Sequence, residues 1–305
     1  MWLYLAIISG ALGSRIIPLA WRYRLATVIA DLLWLIWTSK RRTCIDNMAV
    51  VLGGSPGDPE VRKTARRAFH QFGKGVVDFL GFANIDPNDP LLRNMPMEGW
   101  EHVEAGLARG RGVLLATGHY GSTDMGGLAL VSKTKGFAAV ADTFKPSYVD
   151  RLIRKTRESK GFRLIPATNV REILRALHAN ELVVVLFDRP LPLDQGVPVS
   201  FFGRETAFPA GTAVMAVKTG ATVVPGYIVR NADNSFTGRT FPPATSNLTG
   251  DKSWDVRAIT QNMADSLEAM IRARPDQWYM FRHMWPDAVP AGNRSSMREA
   301  SIEAR

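Results

Sequence analysis

The sequence predicts an α/β protein with a mainly parallel central sheet that is covered by helices. Short apolar runs rich in Val, Ile and Leu alternate with helical patterns between residues 113 and 229, which is typical of a parallel sheet buried on both faces. A long amphipathic pattern follows at 254–274. The chain has 305 residues, of which 46% are hydrophobic, so it can bury a sizeable core, and disordered and fibrous proteins are excluded.

Residues 1–96 are predicted to form a helical segment that associates with a membrane. Large apolar residues, several of them Trp, are interleaved with arginines, and Pro18 interrupts the helical pattern. No uncharged stretch reaches the roughly 18 residues of a bilayer-spanning helix. Short apolar runs flanked by arginine suit helices that lie in the membrane interface, which favours peripheral or monotopic association. The alternative is an ordinary amphipathic layer packed on the rest of the protein.

The excess positive charge indicates an anionic partner. The chain carries 38 Lys and Arg against 28 Asp and Glu, a net charge of +10. Residues 1–80 hold 11 basic and 5 acidic side chains, so +6 of this excess lies in the apolar first quarter. Because the basic residues accompany apolar runs instead of a polar groove, we expect an anionic phospholipid surface as partner and no nucleic acid.

The remaining elements follow in chain order. A helix is predicted at 58–82, because Asp58 is a typical N-cap residue and Pro59 suits the first helical position, and a proline-containing loop at 84–96 ends the segment. Residues 97–287 are predicted to form the α/β core, and the small, polar tail at 288–305 is predicted to be disordered. In the core, strands are predicted at 113–117, 137–141, 162–166, 182–187 and 222–229, and helices at 122–131, 148–160, 169–179, 210–218 and 254–274.

Three further patterns in the sequence give little indication of a reactive or metal-binding site. The single cysteine, Cys44, has no disulfide partner and follows a basic run, so we interpret it as a bystander. Residues 53–57 match the G-x-S-x-G pattern of serine hydrolases, but Pro56 lacks the N–H that an oxyanion hole needs after the serine, which makes Ser55 a turn residue. One cysteine and scattered histidines give no metal-ligand spacing, so we expect neither a metal nor another cofactor.

The candidate catalytic residues lie in the loop that follows the strand at 113–117. His119 and Asp124 form an H-x4-D pair there, at the strand end where α/β proteins place their sites. If His119 lies in the turn and Asp124 in the first helical turn, the carboxylate can reach back to one imidazole nitrogen and leave the other free as a general base. The alternative is a structural histidine that caps the helix.

The chain contains five ordered blocks, at 41–48, 117–124, 150–166, 187–203 and 275–282. Together these blocks resemble one family, the bacterial lipid A late acyltransferases and their actinobacterial relatives, the phosphatidylinositol mannoside acyltransferases. The resemblance covers roughly residues 15–287. The chain departs from the family pattern at Ser122-Thr123-Asp124, where many members have Asn-Trp-Glu, and its last block is less basic than usual.

The resemblance implies transfer of a fatty acyl group from acyl-CoA or acyl carrier protein to a hydroxyl of a membrane glycolipid. The acceptor would be a lipid A precursor or a phosphatidylinositol mannoside, at the cytoplasmic face of the inner membrane. In this interpretation His119 deprotonates the hydroxyl, which attacks the thioester without an acyl-enzyme, and Asp124 orients His119. Arg157 would pair with an acid or a phosphate near the site, unless it is a solvated helix charge.

Two further groups are candidate substrate-binding residues. Asp188 and Arg189 end a predicted buried strand, which favours substrate contacts over proton transfer. Phe201, Phe202 and Gly203 are predicted to line an acyl groove, with a core role as the equal alternative. The competing function is a non-catalytic lipid-binding module of the same fold on the membrane surface, which the presence of both His119 and Asp124 disfavours.

Overall fold

The structure of the chain is a computed structural model that describes residues 10, 13–86, 92, 94–134, 137–143 and 146–285. The first apolar run, at residues 2–8, and the tail predicted at 288–305 lie outside these residues. So do residues 87–91 and 93, which belong to the predicted proline-containing loop.

Three helices form the N-terminal part of the described chain: α1 (Leu19–Ile36), α2 (Thr38–Leu52) and α3 (Pro59–Phe82). Pro59 opens α3 as predicted, although the side chain of Asp58 accepts a hydrogen bond from the Ser55 amide instead of capping the helix. Helices α1 and α3 approach closely at Gly73, where a Cβ atom would lie 3.1 Å from the carbonyl oxygen of Ala26. A larger side chain there would push the two helices apart.

The central sheet has seven strands: β1 (Met97–Glu98), β2 (Val113–Thr117), β3 (Phe137–Ala141), β4 (Arg163–Pro166), β5 (Leu182–Leu186), β8 (Thr222–Arg230) and β9 (Phe236–Thr240). Their order in the sheet is β1-β9-β8-β2-β5-β3-β4. The five strands from β8 to β4 run parallel to one another, which confirms the mainly parallel sheet. Strand β9 is antiparallel to β8, and the short β1 pairs with β9 in parallel.

Helices cover both faces of this sheet, as predicted. Successive strand residues point to opposite faces, so Leu114 joins one buried apolar cluster and Leu115 the other. Helices α4 (Glu101–Ala108) and α5 (Thr123–Lys133) contribute to the cluster around Leu115. The opposite cluster draws on α7 (Val170–His178), α8 (Gly211–Thr219) and α9 (Lys252–Ala273), while α6 (Ser147–Glu158) precedes β4 and a 3-10 turn (Pro275–Gln277) follows α9.

Several elements are not predicted from the sequence. The sequence does not predict the antiparallel hairpin of β6 (Val197–Phe201) and β7 (Arg204–Phe208), the edge strand β1 with its neighbour β9, or helix α4. These elements are short or carry polar residues, so their apolar pattern is weak.

Helix α3 joins the N-terminal helices to the α/β core. Near its middle, Phe69 meets Phe281 edge to face at 4.9 Å between ring centroids. At its C-terminal end, Phe82 meets Phe162 in the same way at 5.6 Å. Aromatic pairs of this geometry stabilise by about 0.5–1.5 kcal/mol beyond their buried area. The helix is therefore held against the α/β core at its middle and at its C-terminal end.

Candidate active site

The turn after β2 places His119 at the carboxyl edge of the sheet. Gly121 has a φ of +63°, and a Cβ atom there would lie 1.6 Å from the carbonyl oxygen of Ile228. A Cβ at Gly118 would lie 2.9 Å from Oδ2 of Asp188. Both glycines are needed for this path, because any other side chain would clash with a neighbouring strand or with Asp188. Helix α5 then begins at Thr123.

His119 is paired with Asp188. Its Nδ1 lies 2.7 Å from Asp188 Oδ1, and its backbone amide donates to Asp188 Oδ2 at 2.8 Å. Asp188 follows β5, and β5 is the parallel neighbour of β2, with Thr117 opposite Leu186. The carboxylate is fully buried, whereas the His119 side chain is 41% exposed. The carboxylate of the pair is therefore enclosed by the protein, whereas the imidazole is accessible from outside.

Asp188 also determines the protonation of the imidazole. Its negative charge raises the pKa of His119, against the opposing effects of burial and of Arg189 and Arg282. Because a carboxylate only accepts hydrogen bonds, Nδ1 carries the proton and Nε2 of the neutral ring is left as the basic nitrogen. An imidazole held in this way can take up a proton at Nε2.

The structure corrects the predicted partner of His119. Asp124 lies in the first turn of α5, but it accepts two hydrogen bonds from Arg157 of α6, Nε to Oδ1 at 2.8 Å and Nη2 to Oδ2 at 3.2 Å. The predicted hydrogen bond between Asp124 and His119 is not formed, because Asp188 occupies Nδ1. Arg157 thus has an acid as partner, as the resemblance implied. Asp188, predicted to contact substrate, lies behind the imidazole instead.

A cavity of about 710 Å³ opens at this edge of the sheet. His119, Asp124, Arg157 and Arg189 are among its polar lining residues. Its walls are mostly apolar and come from both faces of the sheet, from Leu130, Phe137, Phe162 and Leu164 on one face and from Ile173, Val214 and Met215 on the other. A mostly apolar cavity with a few polar groups suits a ligand with a hydrocarbon chain and one reacting group.

Two further cavity residues, Asp142 and Tyr227, are not among the sequence-predicted site residues. Asp142, just after β3, forms an ion pair with Arg189, with Nη1 to Oδ2 at 2.7 Å. Tyr227 of β8 lines the cavity and is buried, and its hydroxyl hydrogen-bonds none of the described residues. Asp142 could have been found from its position after a predicted strand, whereas Tyr227 lies inside an apolar strand pattern that gives no such signal.

The predicted acyl-groove residues lie elsewhere. Phe201 ends β6, and Phe202 and Gly203 form the hairpin turn with positive φ values of 54° and 70°. The Phe201 ring is buried and stacks on Trp285 at 5.9 Å, and none of the three residues lines the cavity. Of the two roles considered, the structure supports the core role and not the groove.

The other candidate nucleophiles are inactive in this fold. Cys44 is buried in α2, and burial raises the pKa of its thiol to about 12, so it holds no thiolate at neutral pH. Ser55 lies in the turn before α3, where its hydroxyl accepts from the Gly57 amide at 3.2 Å. Among the residues that the structure describes, no group of three His, Cys, Asp or Glu could hold a metal ion.

Residues 1–286 match the family model of the bacterial lipid A biosynthesis acyltransferases. The chain belongs to this family. Within the lipid A biosynthesis acyltransferase family, it is similar to a phosphatidylinositol mannoside acyltransferase of Mycobacterium tuberculosis, with 34% identity over 205 residues covering 66% of this chain and 63% of the relative.

This acyltransferase is also similar to two further curated relatives. A phosphatidylinositol mannoside acyltransferase of Mycolicibacterium smegmatis is 35% identical over 190 residues, covering 61% of this chain and 60% of the relative. A lipid A biosynthesis acyltransferase of Haemophilus influenzae is 26% identical over 204 residues, covering 67% and 63%. The chain thus spans less than two thirds of the length of the curated relatives it matches, about 63% for the M. tuberculosis protein.

Proposed function

We propose that this protein transfers a fatty acyl chain from a thioester donor to a hydroxyl of a glycolipid, with His119 as general base. One observation carries the proposal: an imidazole whose Nδ1 is held by a buried carboxylate lines a large, mostly apolar cavity. Such a cavity accommodates an acyl chain, and such an imidazole activates a hydroxyl.

The reaction follows from this geometry. Nε2 of His119 takes the proton of the acceptor hydroxyl while its oxygen attacks the thioester carbonyl carbon, which gives a tetrahedral intermediate and an imidazolium. Asp188 stabilises the imidazolium through Nδ1–H. The intermediate then collapses, the carbon–sulfur bond breaks, and the imidazolium returns its proton to the leaving thiolate. The products are an ester and a free thiol, and no acyl-enzyme forms because the substrate brings its own nucleophile.

Two neighbouring groups support this reaction. The buried hydroxyl of Tyr227, which lines the cavity, is assigned as a hydrogen-bond donor to the developing oxyanion. Arg189 is assigned to a phosphate of the donor or the acceptor. Its present partner Asp142 is half exposed, and a partly exposed ion pair contributes only about 0–1 kcal/mol, so a phosphate can replace it. Asp124 and Arg157 hold α5 and α6 together beside the cavity.

The acceptor is proposed to be a phosphatidylinositol mannoside. The relatives with this name are 34% and 35% identical to the chain, whereas the lipid A enzyme is 26% identical. The departure from the lipid A pattern at Ser122-Thr123-Asp124 agrees with this choice. The donor is proposed to be acyl-CoA or acyl carrier protein, as the resemblance implies.

The test is acyl transfer by the purified full-length chain. Radiolabelled palmitoyl-CoA and palmitoyl carrier protein are each offered with phosphatidylinositol mannoside or with a lipid A precursor. We expect label in the mannoside lipid. Label in the lipid A precursor alone would contradict the proposal that the acceptor is a phosphatidylinositol mannoside. Folded protein that binds lipid vesicles but labels neither acceptor would favour the non-catalytic lipid-binding module.

Association with a membrane is proposed through the outer face of α1. This face exposes large apolar side chains, while none of the described helices has the length and apolarity needed to cross a bilayer. Arg22 and Arg24 lie on the same helix, and the Arg24 guanidinium lies over the Trp21 ring at 4.9 Å. We place this contact at the cytoplasmic face of the plasma membrane. The exposed side chains of α1 are Leu19, Trp21, Leu25, Val28, Ile29, Leu32, Leu35 and Ile36, and Ile16 and Ile17 are exposed just before the helix.

Replacing Leu25 and Leu32 together by Asp is expected to abolish binding to vesicles of anionic phospholipid. Both side chains are more than half exposed, at 54% and 55%, so the variant loses apolar contact with lipid and keeps its core. Flotation with vesicles measures the effect. Leu248→Asp, at a 43% exposed leucine outside α1, is the matched control and should float like the wild type. Equal flotation of all three proteins would contradict the assignment of this face.

A further inference from the structure

A buried polar cluster joins the N-terminal helices to the start of α5. Asp78 of α3 lies at its centre and accepts from the Tyr23 hydroxyl of α1 at 2.7 Å and from the Ser122 hydroxyl at 3.1 Å. Arg230, the last residue of β8, donates from Nη2 to the same carboxylate and from Nη1 to the Tyr23 hydroxyl at 3.0 Å. Four separate elements therefore meet at one carboxylate.

The cluster is costly for the fold. The side chains of Arg230 and Asp78 are only 1% and 4% exposed. Removing two charges from water offsets much of their attraction, so a buried ion pair often stabilises no more than apolar side chains of the same volume. Stability alone is thus a weak reason for this arrangement. What the cluster does provide is a fixed geometry, because each hydrogen bond constrains the direction of a side chain.

The geometry it fixes is that of the 118–124 loop. Ser122 directly precedes α5, and its carbonyl accepts the amide of Gly126 at 3.0 Å. The backbone of Arg230 exchanges two hydrogen bonds with the side chain of Gln277, at 2.9 and 2.7 Å. The carbonyl of Gln277 in turn accepts the Gly121 amide at 2.9 Å. Asp78 is thus connected to both Gly121 and Ser122, two and three residues after His119.

We propose that Asp78 is a positioning residue for His119. Through Ser122 and Arg230 it holds the 118–124 loop where the imidazole of His119 pairs with Asp188. The proposal rests on the proposed function of His119. Asp78 does not line the cavity, so it acts on the reaction only through these partners. Its other partner, Tyr23, lies on α1, the helix assigned to lipid contact.

Asp78→Asn tests the proposal, because it keeps the side-chain shape and removes the charge that faces Arg230. We expect kcat to fall by about tenfold or more while KM for the acyl donor is unchanged, since substrate contacts remain. Ser122→Ala is the milder second variant, because it removes one hydroxyl and leaves the ion pair intact. A loss of kcat of a few-fold with an unchanged melting temperature is expected there.

Asp31→Asn is the matched control. Asp31 also links α1 to α3, accepting from Arg66 Nε at 2.7 Å and pairing with His70 Nε2 at 2.6 Å, but it does not contact the 118–124 loop. Both aspartate variants lose an α1–α3 contact, so both are expected to lower the melting temperature. Only Asp78→Asn is expected to lower kcat. Equal loss of kcat in both, or wild-type kcat in Asp78→Asn and Ser122→Ala, would overturn the proposal.

A readout without turnover separates this proposal from the proposed function. The pKa of His119 can be followed by NMR of its imidazole, assigned by comparison with His119→Gln. A loosened loop weakens the pairing with Asp188, so we expect this pKa to be lower in Asp78→Asn than in the wild type and unchanged in Asp31→Asn. An unchanged pKa in Asp78→Asn would overturn the positioning role. An inactive wild type with the expected pKa change would overturn the proposed function alone.

Discussion

His119→Ala is expected to reduce acyl transfer by about 10²- to 10⁴-fold, the range that a positioned general base contributes. The variant keeps the cavity and the carboxylate of Asp188, but nothing remains to take the proton of the acceptor hydroxyl. Because the imidazole is 41% exposed at the cavity edge, its removal should leave KM for the acyl donor nearly unchanged. Initial rates with labelled donor and mannoside acceptor measure the effect.

The control for this variant is His178→Ala. His178 ends α7 on the exposed surface and does not line the cavity, so its rate should equal that of the wild type. Acyl transfer that persists undiminished in His119→Ala would exclude His119 as the base.

Asp188→Asn is expected to reduce kcat on the order of 10³-fold. An asparagine can turn its N–H₂ toward Nδ1, which would then accept a hydrogen bond and leave the proton on Nε2, the nitrogen that must be basic.

The Asp188→Asn variant is also expected to change the pH profile of activity. In the wild type, Asp188 raises the pKa of His119, so activity should fall as the pH drops through a value above the ordinary histidine pKa of about 6.5. In Asp188→Asn this acidic limb of the pH–activity profile should move to lower pH.

Asp124→Asn distinguishes the two possible partners of His119. It weakens the ion pair with Arg157 but leaves the imidazole tautomer intact, so its loss of kcat should be much smaller than that of Asp188→Asn, and its acidic limb should stay in place. The reverse order of the two effects would support the pairing expected from the H-x4-D spacing and contradict the one in the structure.

The same pair affects stability. Because the pKa of His119 is raised in the folded protein, its protonated form is favoured there. This contribution is fully present below the unfolded-state pKa and is lost as pH rises through the folded-state pKa. Asp188→Asn should therefore lower the melting temperature more at acidic than at alkaline pH.

Much of the core could be predicted because its signals are local. The runs at 113–117, 137–141 and 182–186 are apolar over the length of one strand, and their parallel arrangement follows from the helices between them. The β6–β7 hairpin could not, since Pro198 lies inside β6 and the polar Glu205 and Thr206 interrupt the apolar pattern of β7. The division of the chain at residue 96 stays a prediction.

The candidate site, too, could be predicted from the sequence only in part. His119 was predictable from one loop, because a histidine after a buried strand lies at the edge where α/β proteins place their sites. Its partner was not. Asp124 is close to His119 in sequence but faces Arg157, whereas Asp188 is 69 residues away and touches the imidazole. Likewise, Phe201 is as apolar as a groove residue, and only packing against Trp285 places it in the core.

The sequence by itself determined the five parallel strands, the helices between them and the family, and it pointed to the histidine proposed as base, because periodicity and motif spacing depend on a few consecutive residues. The tertiary structure decided which side chains meet. Asp188 reaches His119 because β5 lies beside β2, and Asp78 reaches Ser122 because α3 lies beside α5. Strand order and helix packing depend on burying the whole apolar surface at once, so no local pattern contains them.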